Sequence, residues 1–233
     1  MNQKNFPFMF LDVETTGHDP LRRITAPVQN LRVTDFYSFP QTYLIPWHEI
    51  IEIGALIADP VDFTILGEFE QKIKPEHPER CLPDLVNHYP KRAAAGEWNN
   101  ALTLAQGLCL LFVWCRRIVP DGVLVSCGQN FFFDWSFMTV AFAQCDMDET
   151  FWRKSLHYTH FDTRSMAIQE LWEPGTPYDP KAYSLRADQL AGRLGIPPEP
   201  YPHVTLNGAR QSFAVFKRLT ELKQKRLAVV EAS

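Results

Sequence analysis

Two carboxylates stand one residue apart in the stretch Phe10-Leu11-Asp12-Val13-Glu14-Thr15-Thr16-Gly17, at the end of an apolar run. In an extended strand alternate side chains share a face, so Asp12 and Glu14 project together, roughly 6 to 7 Å apart along the chain. Two acids on one face next to buried residues are costly unless a cation lies between them. Mg²⁺ meets that need, because it takes hard oxygen ligands and keeps waters that a phosphate can replace. The plainer alternative is a solvated strand end before a Thr-Thr-Gly turn, and D-x-E alone does not separate the two. The second signal is Asp134, which follows Asn130 and lies between Phe133 and Phe137, which are four apart and bury one helical side. Asp134 then points elsewhere from the first turns of a helix, where a carboxylate also complements the helix dipole. Third, His203 precedes a helical stretch; imidazole, with an ordinary pKa of about 6.5, suits proton transfer near neutral pH.

The elements that must position these groups can be read from hydrophobic pattern. Residues 6–13, 49–58 and 64–74 read as strands close in sequence, which predicts an antiparallel meander. A helical pattern over 98–117 leads to a short buried strand at 123–127. Asn130 is the expected N-cap of a helix over 131–143. Residues 161–163 then lead into a helix over 164–171. The segment 174–202 holds seven prolines around one short helix at 185–194, and the final helix is expected over 209–222. Residues 18–47, with four prolines and no helical period, read as an inserted hairpin or lid. Its Arg22, Arg23 and Arg32 with Phe36, Tyr37, Phe39 and Tyr43 suit either phosphate contact with base stacking or the covering of a sheet edge. The order of elements gives a layered α/β or α+β unit spanning residues 1–233.

The 233 residues are 45% hydrophobic and 21% charged, enough for a packed core. A formal net charge of -4 excludes a polybasic coat, so nucleic-acid contact must come from a local patch. The apolar run 101–115 is shorter than the roughly 20 residues a bilayer requires and reads as a buried core helix, so no membrane partner is expected. Five scattered cysteines without a C-x-x-C pair, and a start lacking signal-peptide layout, lead to the expectation of a reduced cytoplasmic compartment. His157, His160 and Asp162 have a spacing that could hold zinc, but no fourth ligand is near. Cys127 reads as a buried strand cysteine rather than a nucleophile.

Taken in order, the acidic strand end, the Asn-x-x-Phe-Asp helix and the histidine before a helix resemble the DEDDh 3'-5' exonucleases, from about Phe8 to Leu219. D-x-E-T-T-G (12–17) and N-x-x-F-D (130–134) match in full. The resemblance implies an RNase H-like α/β fold, a mixed sheet of antiparallel meander then parallel strands, flanked by helices. It implies hydrolysis of single-stranded DNA or RNA from the 3' end with two ions of Mg²⁺ or Mn²⁺. By resemblance Asp12, Glu14 and Asp134 are the metal ligands and His203 the general base. Thr15, Thr16 and Asn130 would bind the terminal nucleotide. The third motif departs: where the family has His-x-Ala-Leu-x-Asp-Ala, this chain has His203-Val204-Thr205-Leu206-Asn207-Gly208-Ala209, so Gly208 stands in the place of the fourth acid. An impaired enzyme, or a silent module that still grips a 3' end, follows from that loss. Restoring Asp at 208 is expected to raise activity, because an acid is welcome near a helix start.

Overall fold

The computed structural model describes residues 6–25, 42–147, 154–172, 175 and 186–232. Five strands form the central sheet in the order β5-β4-β1-β6-β7: β1 (Phe8–Thr15), β4 (Ile50–Ala58), β5 (Ile65–Lys72), β6 (Leu124–Gly128) and β7 (Leu156–Asp162). β1, β4 and β5 are antiparallel neighbours, whereas β6 and β7 join in parallel. The expected meander is therefore present. Parallel strands need crossovers, and helices supply them. These are α1 (Tyr89–Ala94) and α2 (Leu104–Ile118) before β6, then α3 (Phe132–Gln144) before β7. After β7 come α4 (Thr163–Leu171), α5 (Ala187–Arg193) and the long α6 (Thr205–Ala232).

Alternation in β1 builds two cores. Met9, Leu11 and Val13 pack with Leu108, Leu111, Phe137, Met138 and Ala141 of α2 and α3. Phe10 faces the other way, into a cluster with Leu56, Cys127, Ala209 and Phe216, and its ring meets Phe213 and Phe216 edge-on. Asp12 and Glu14 continue the Phe10 face, the one that α6 covers.

Some boundaries and roles differ from expectation. α2 starts at Leu104, not at 98, because Thr103 and Gln106 form a reciprocal capping box there. It is only half buried, with Leu110 and Val113 exposed on its outer side. Asn130 does not cap α3. Its φ is 55°, and its backbone N–H donates to Asp162 while the helix starts at Phe132. α6 begins four residues earlier than its pattern suggests and continues past 222. No described helix is long and apolar enough to cross a membrane. Of the insertion at 18–47, β2 (Leu21–Thr25) and β3 (Thr42–Pro46) form an antiparallel ribbon, while 26–41 lie outside the described residues.

Candidate active site

β1 ends where its neighbours part. The parallel register with β6 stops at Phe10↔Cys127, so the N–H of Val13 has no strand partner on that side. The Asp134 carboxylate takes that N–H at 2.9 Å, reaching from the first turn of α3 over the strand end. Asp134 is thereby brought from the α3 layer to the carboxylates of the α6 face. A cavity of about 200 Å³ opens there, lined by Asp12, Glu14, Thr15, His18, Asn87, Asn130 and Asp134 among others. Among the described residues no Lys or Arg lines it.

The acids respond as buried uncompensated charges must. Burial pushes the Glu14 carboxyl up to about 8, against the opposing hydrogen bond from Asn87. Burial raises Asp134 to about 7, against the Val13 N–H. Asp12 is raised well above the ordinary range by burial, then by the charges of Asp134, Glu14, Glu199 and Glu52. Among the described residues no three His, Cys, Asp or Glu groups are drawn together tightly enough to hold an ion as they stand. Mutual repulsion of this kind is what a bound cation relieves. Hard oxygen donors in a small cavity, with no Lys or Arg among its described lining residues, fit Mg²⁺ or Mn²⁺.

Asn87 was not legible in the sequence. Its amide donates to Glu14 at 2.8 Å and to the Thr15 carbonyl at 3.0 Å, which fixes the strand end. Of the two threonines, Thr15 lines the cavity and donates its hydroxyl to the Gly17 carbonyl. Thr16 is placed differently: it is fully buried, its hydroxyl accepts the Glu49 N–H at 2.8 Å, and it does not line the cavity. His203 also lies outside the lining, adjacent through its N–H to the carbonyl of Val86, a lining residue. Its ring Nδ1 is 3.3 Å from Glu199.

Gly208 is more than a missing side chain. A Cβ built there would stand 2.6 Å from Asp12 Oδ2, and a Cβ at Gly54, opposite Asp12 in the register, 2.3 Å from the Thr205 backbone. The start of α6 is thus pressed onto the sheet through two glycines, and the Asp12 carboxylate occupies the space a 208 side chain needs. An Asp at 208 would keep its favourable place near the helix start but would require the Asp12 carboxylate to shift aside.

Other candidates disperse. Asp162 caps α4 and binds Asn130 and Ser165, His157 stacks on Tyr158, and the His160 ring meets Phe131 at a tilt, so no zinc set forms. Burial raises the Cys127 thiol far above its ordinary range, which suits a core residue. The insertion's ends close beside the cavity, with Trp47 N–H on the Pro20 carbonyl and the Arg22 guanidinium 4.2 Å over the Trp47 ring. Side chains 23–44, including Arg23, Arg32, Phe36, Tyr37, Phe39 and Tyr43, lie outside the described residues. A larger cavity of about 680 Å³ lies under α2 and α3, but its Glu49 is already bound by the N–H groups of Glu76 and His77.

No protein-family model and no curated protein matches the chain. Solved structures do. The nuclease domain of 3'hExo, described as a DEDDh family member bound to rAMP, matches with TM-score 0.59 and 14% identity over 95% of this chain and 94% of that one. E. coli exonuclease I in complex with a dT13 oligonucleotide matches with TM-score 0.63 and 18% identity over 97% of this chain. The fold is that of the RNase H-like 3'-exonucleases. The chain spans 43% of E. coli exonuclease I but 84% of the 3'-exonuclease described in 3'-end recognition of histone mRNA stem-loop. At these identities the RNase H-like likeness is one of architecture.

Proposed function

We propose that the chain is a divalent-metal-dependent 3'-5' exonuclease of single-stranded DNA or RNA, related to the DEDDh enzymes. The observation that carries this is the convergence of Asp12, Glu14 and Asp134 on one cavity with no Lys or Arg among its described lining residues, in the fold of 3'-exonucleases. These three would hold Mg²⁺ or Mn²⁺. Two such ions, when bound, stabilise the attacking and leaving oxygens of an in-line phosphoryl displacement. Asn87 keeps the Glu14 carboxylate in place. Thr15, Asn130 and Phe133 line the space in which a terminal nucleotide would sit. His203 accepts the proton of the attacking water, a role that suits an imidazole near neutral pH.

A silent 3'-end binding module is the second reading, favoured by Gly208, packed against the Asp12 carboxylate, where a fourth acid would stand. The two differ in turnover. With a strand labelled at either end and Mg²⁺ or Mn²⁺ added, stepwise shortening from the 3' end, mononucleotide release and inhibition by chelator are expected. Binding without shortening selects the silent module; internal or chelator-resistant cleavage contradicts both.

A further inference from the structure

Glu199 lies in the proline-rich loop before α6, and both its carboxylate oxygens face one pair of residues. Oε2 is 3.3 Å from Nδ1 of His203, and Oε1 accepts the Val204 N–H at 3.2 Å. The Glu199 side chain is 6% exposed and the His203 ring 22%. The backbone of His203 is held too, its N–H on the Val86 carbonyl and its carbonyl accepting from Arg92, each at 3.4 Å. Two residues earlier, Tyr201 is hydrogen-bonded to His88 and meets its ring edge-on.

A carboxylate on one ring nitrogen selects the tautomer of a neutral histidine. The proton stays on Nδ1 and the lone pair is left on Nε2. Holding the ring in one orientation also removes freedom that proton transfer would otherwise have to overcome. The competing role, a substitute for the acid absent at Gly208, would show as a loss of metal affinity when Glu199 is removed, whereas the contacts of both its oxygens with His203 and Val204 favour the positioning role.

We infer that Glu199 is a positioning residue that holds His203 as its Nδ1–H tautomer, leaving Nε2 to take the proton of the attacking water; this rests on the hydrolytic reading of the site. The water oxygen bonds to phosphorus as the bond from phosphorus to the 3' oxygen of the shortened strand breaks. The water's proton goes to Nε2, and the departing 3' oxygen takes a proton from solvent. The imidazolium, steadied by the Glu199 carboxylate, then returns its proton to solvent.

Long-range ¹H–¹⁵N spectra of the full chain, with assigned His203 ring nitrogens, test this. The expected result is the Nδ1–H form in wild type and in Glu199→Gln, whose amide oxygen still accepts, with loss of that preference in Glu199→Ala. In Glu199→Ala kcat should fall about 10- to 100-fold, with KM for a single-stranded oligonucleotide and Kd for Mn²⁺ unchanged. An Nε2–H ring in a wild type that cleaves, or a tautomer indifferent to Glu199→Ala, overturns the role of Glu199 alone. Weakened Mn²⁺ binding in Glu199→Ala with the tautomer intact overturns it in favour of a metal ligand. A wild type that cleaves with neither Mg²⁺ nor Mn²⁺ overturns the hydrolytic reading and with it the acceptor role.

Discussion

Glu14 and Glu52 are direct partners across the β1–β4 register, yet their surroundings are opposite. Glu52, fully buried, is met by Lys72 at 2.6 Å and Arg92 at 3.0 Å, and Arg92 also holds Glu97 at 2.8 Å. Lys72 and Arg92 both sit over the Trp98 ring. Glu14 has one neutral amide, Asn87, and three acidic neighbours. A buried carboxylate that serves the fold is neutralised by protein cations. One left without them costs stability and is kept only where something else brings positive charge. The contrast between the paired and the unpaired acid separates structural charge from the candidate site without reference to any other protein.

Breaking the paired side should have the largest effect on stability. Arg92→Ala leaves Glu52 buried beside a single lysine, and unfolding free energy should drop by about 3–5 kcal/mol, read from denaturant midpoints. On the unpaired side the sign reverses. Asp12→Asn removes a repelled charge, so the metal-free protein should melt at an equal or higher temperature while turnover drops more than about 100-fold. A lower melting temperature with activity retained would mean that Asp12 is structural.

The pH dependence sharpens the same contrast. Burial chiefly raises Glu14 to about 8 and both Asp134 and Glu199 to about 7. The folded state therefore keeps protons that the unfolded chain releases above its ordinary carboxyl range. Stability in chelator should fall as pH rises from about 4.5 to about 8 and then level. Melting curves across that range should show the decline, and Mn²⁺ should remove much of it. A flat profile would indicate that these acids are solvated.

Smaller effects are expected at the glycine contact. Gly208→Ala should destabilise by about 1–3 kcal/mol, because its Cβ meets the Asp12 carboxylate. Gly208→Asp should fail to raise turnover; a large gain with normal stability would show that α6 can back away.

Much of this site was legible because short-range rules govern it. Asp12 and Glu14 follow from strand alternation, and Asp134 from the Phe133–Phe137 spacing. A lone acid at 52 in a strand otherwise buried and apolar was a signal as well, since such a residue needs a cation. The partners were not legible. Arg92 reaches Glu52 across forty residues, and Asn87 reaches Glu14 across seventy-three. Glu199 lies four residues before His203, but only the turn of the proline-rich loop brings it onto the ring. α6 began early because Gly208, which reads as a helix boundary, is a packing contact inside the helix.

We propose that a divalent cation completes the acids at the end of β1, whereas Lys72 and Arg92 complete Glu52. Titration of free Mn²⁺ by electron paramagnetic resonance at pH 7.5, on wild type, Asp12→Asn and Glu52→Gln, tests it most directly. Binding is expected in wild type, with at least about tenfold weaker binding in Asp12→Asn and wild-type affinity in Glu52→Gln. Equal affinity in wild type and Asp12→Asn, or a loss confined to Glu52→Gln, would contradict it.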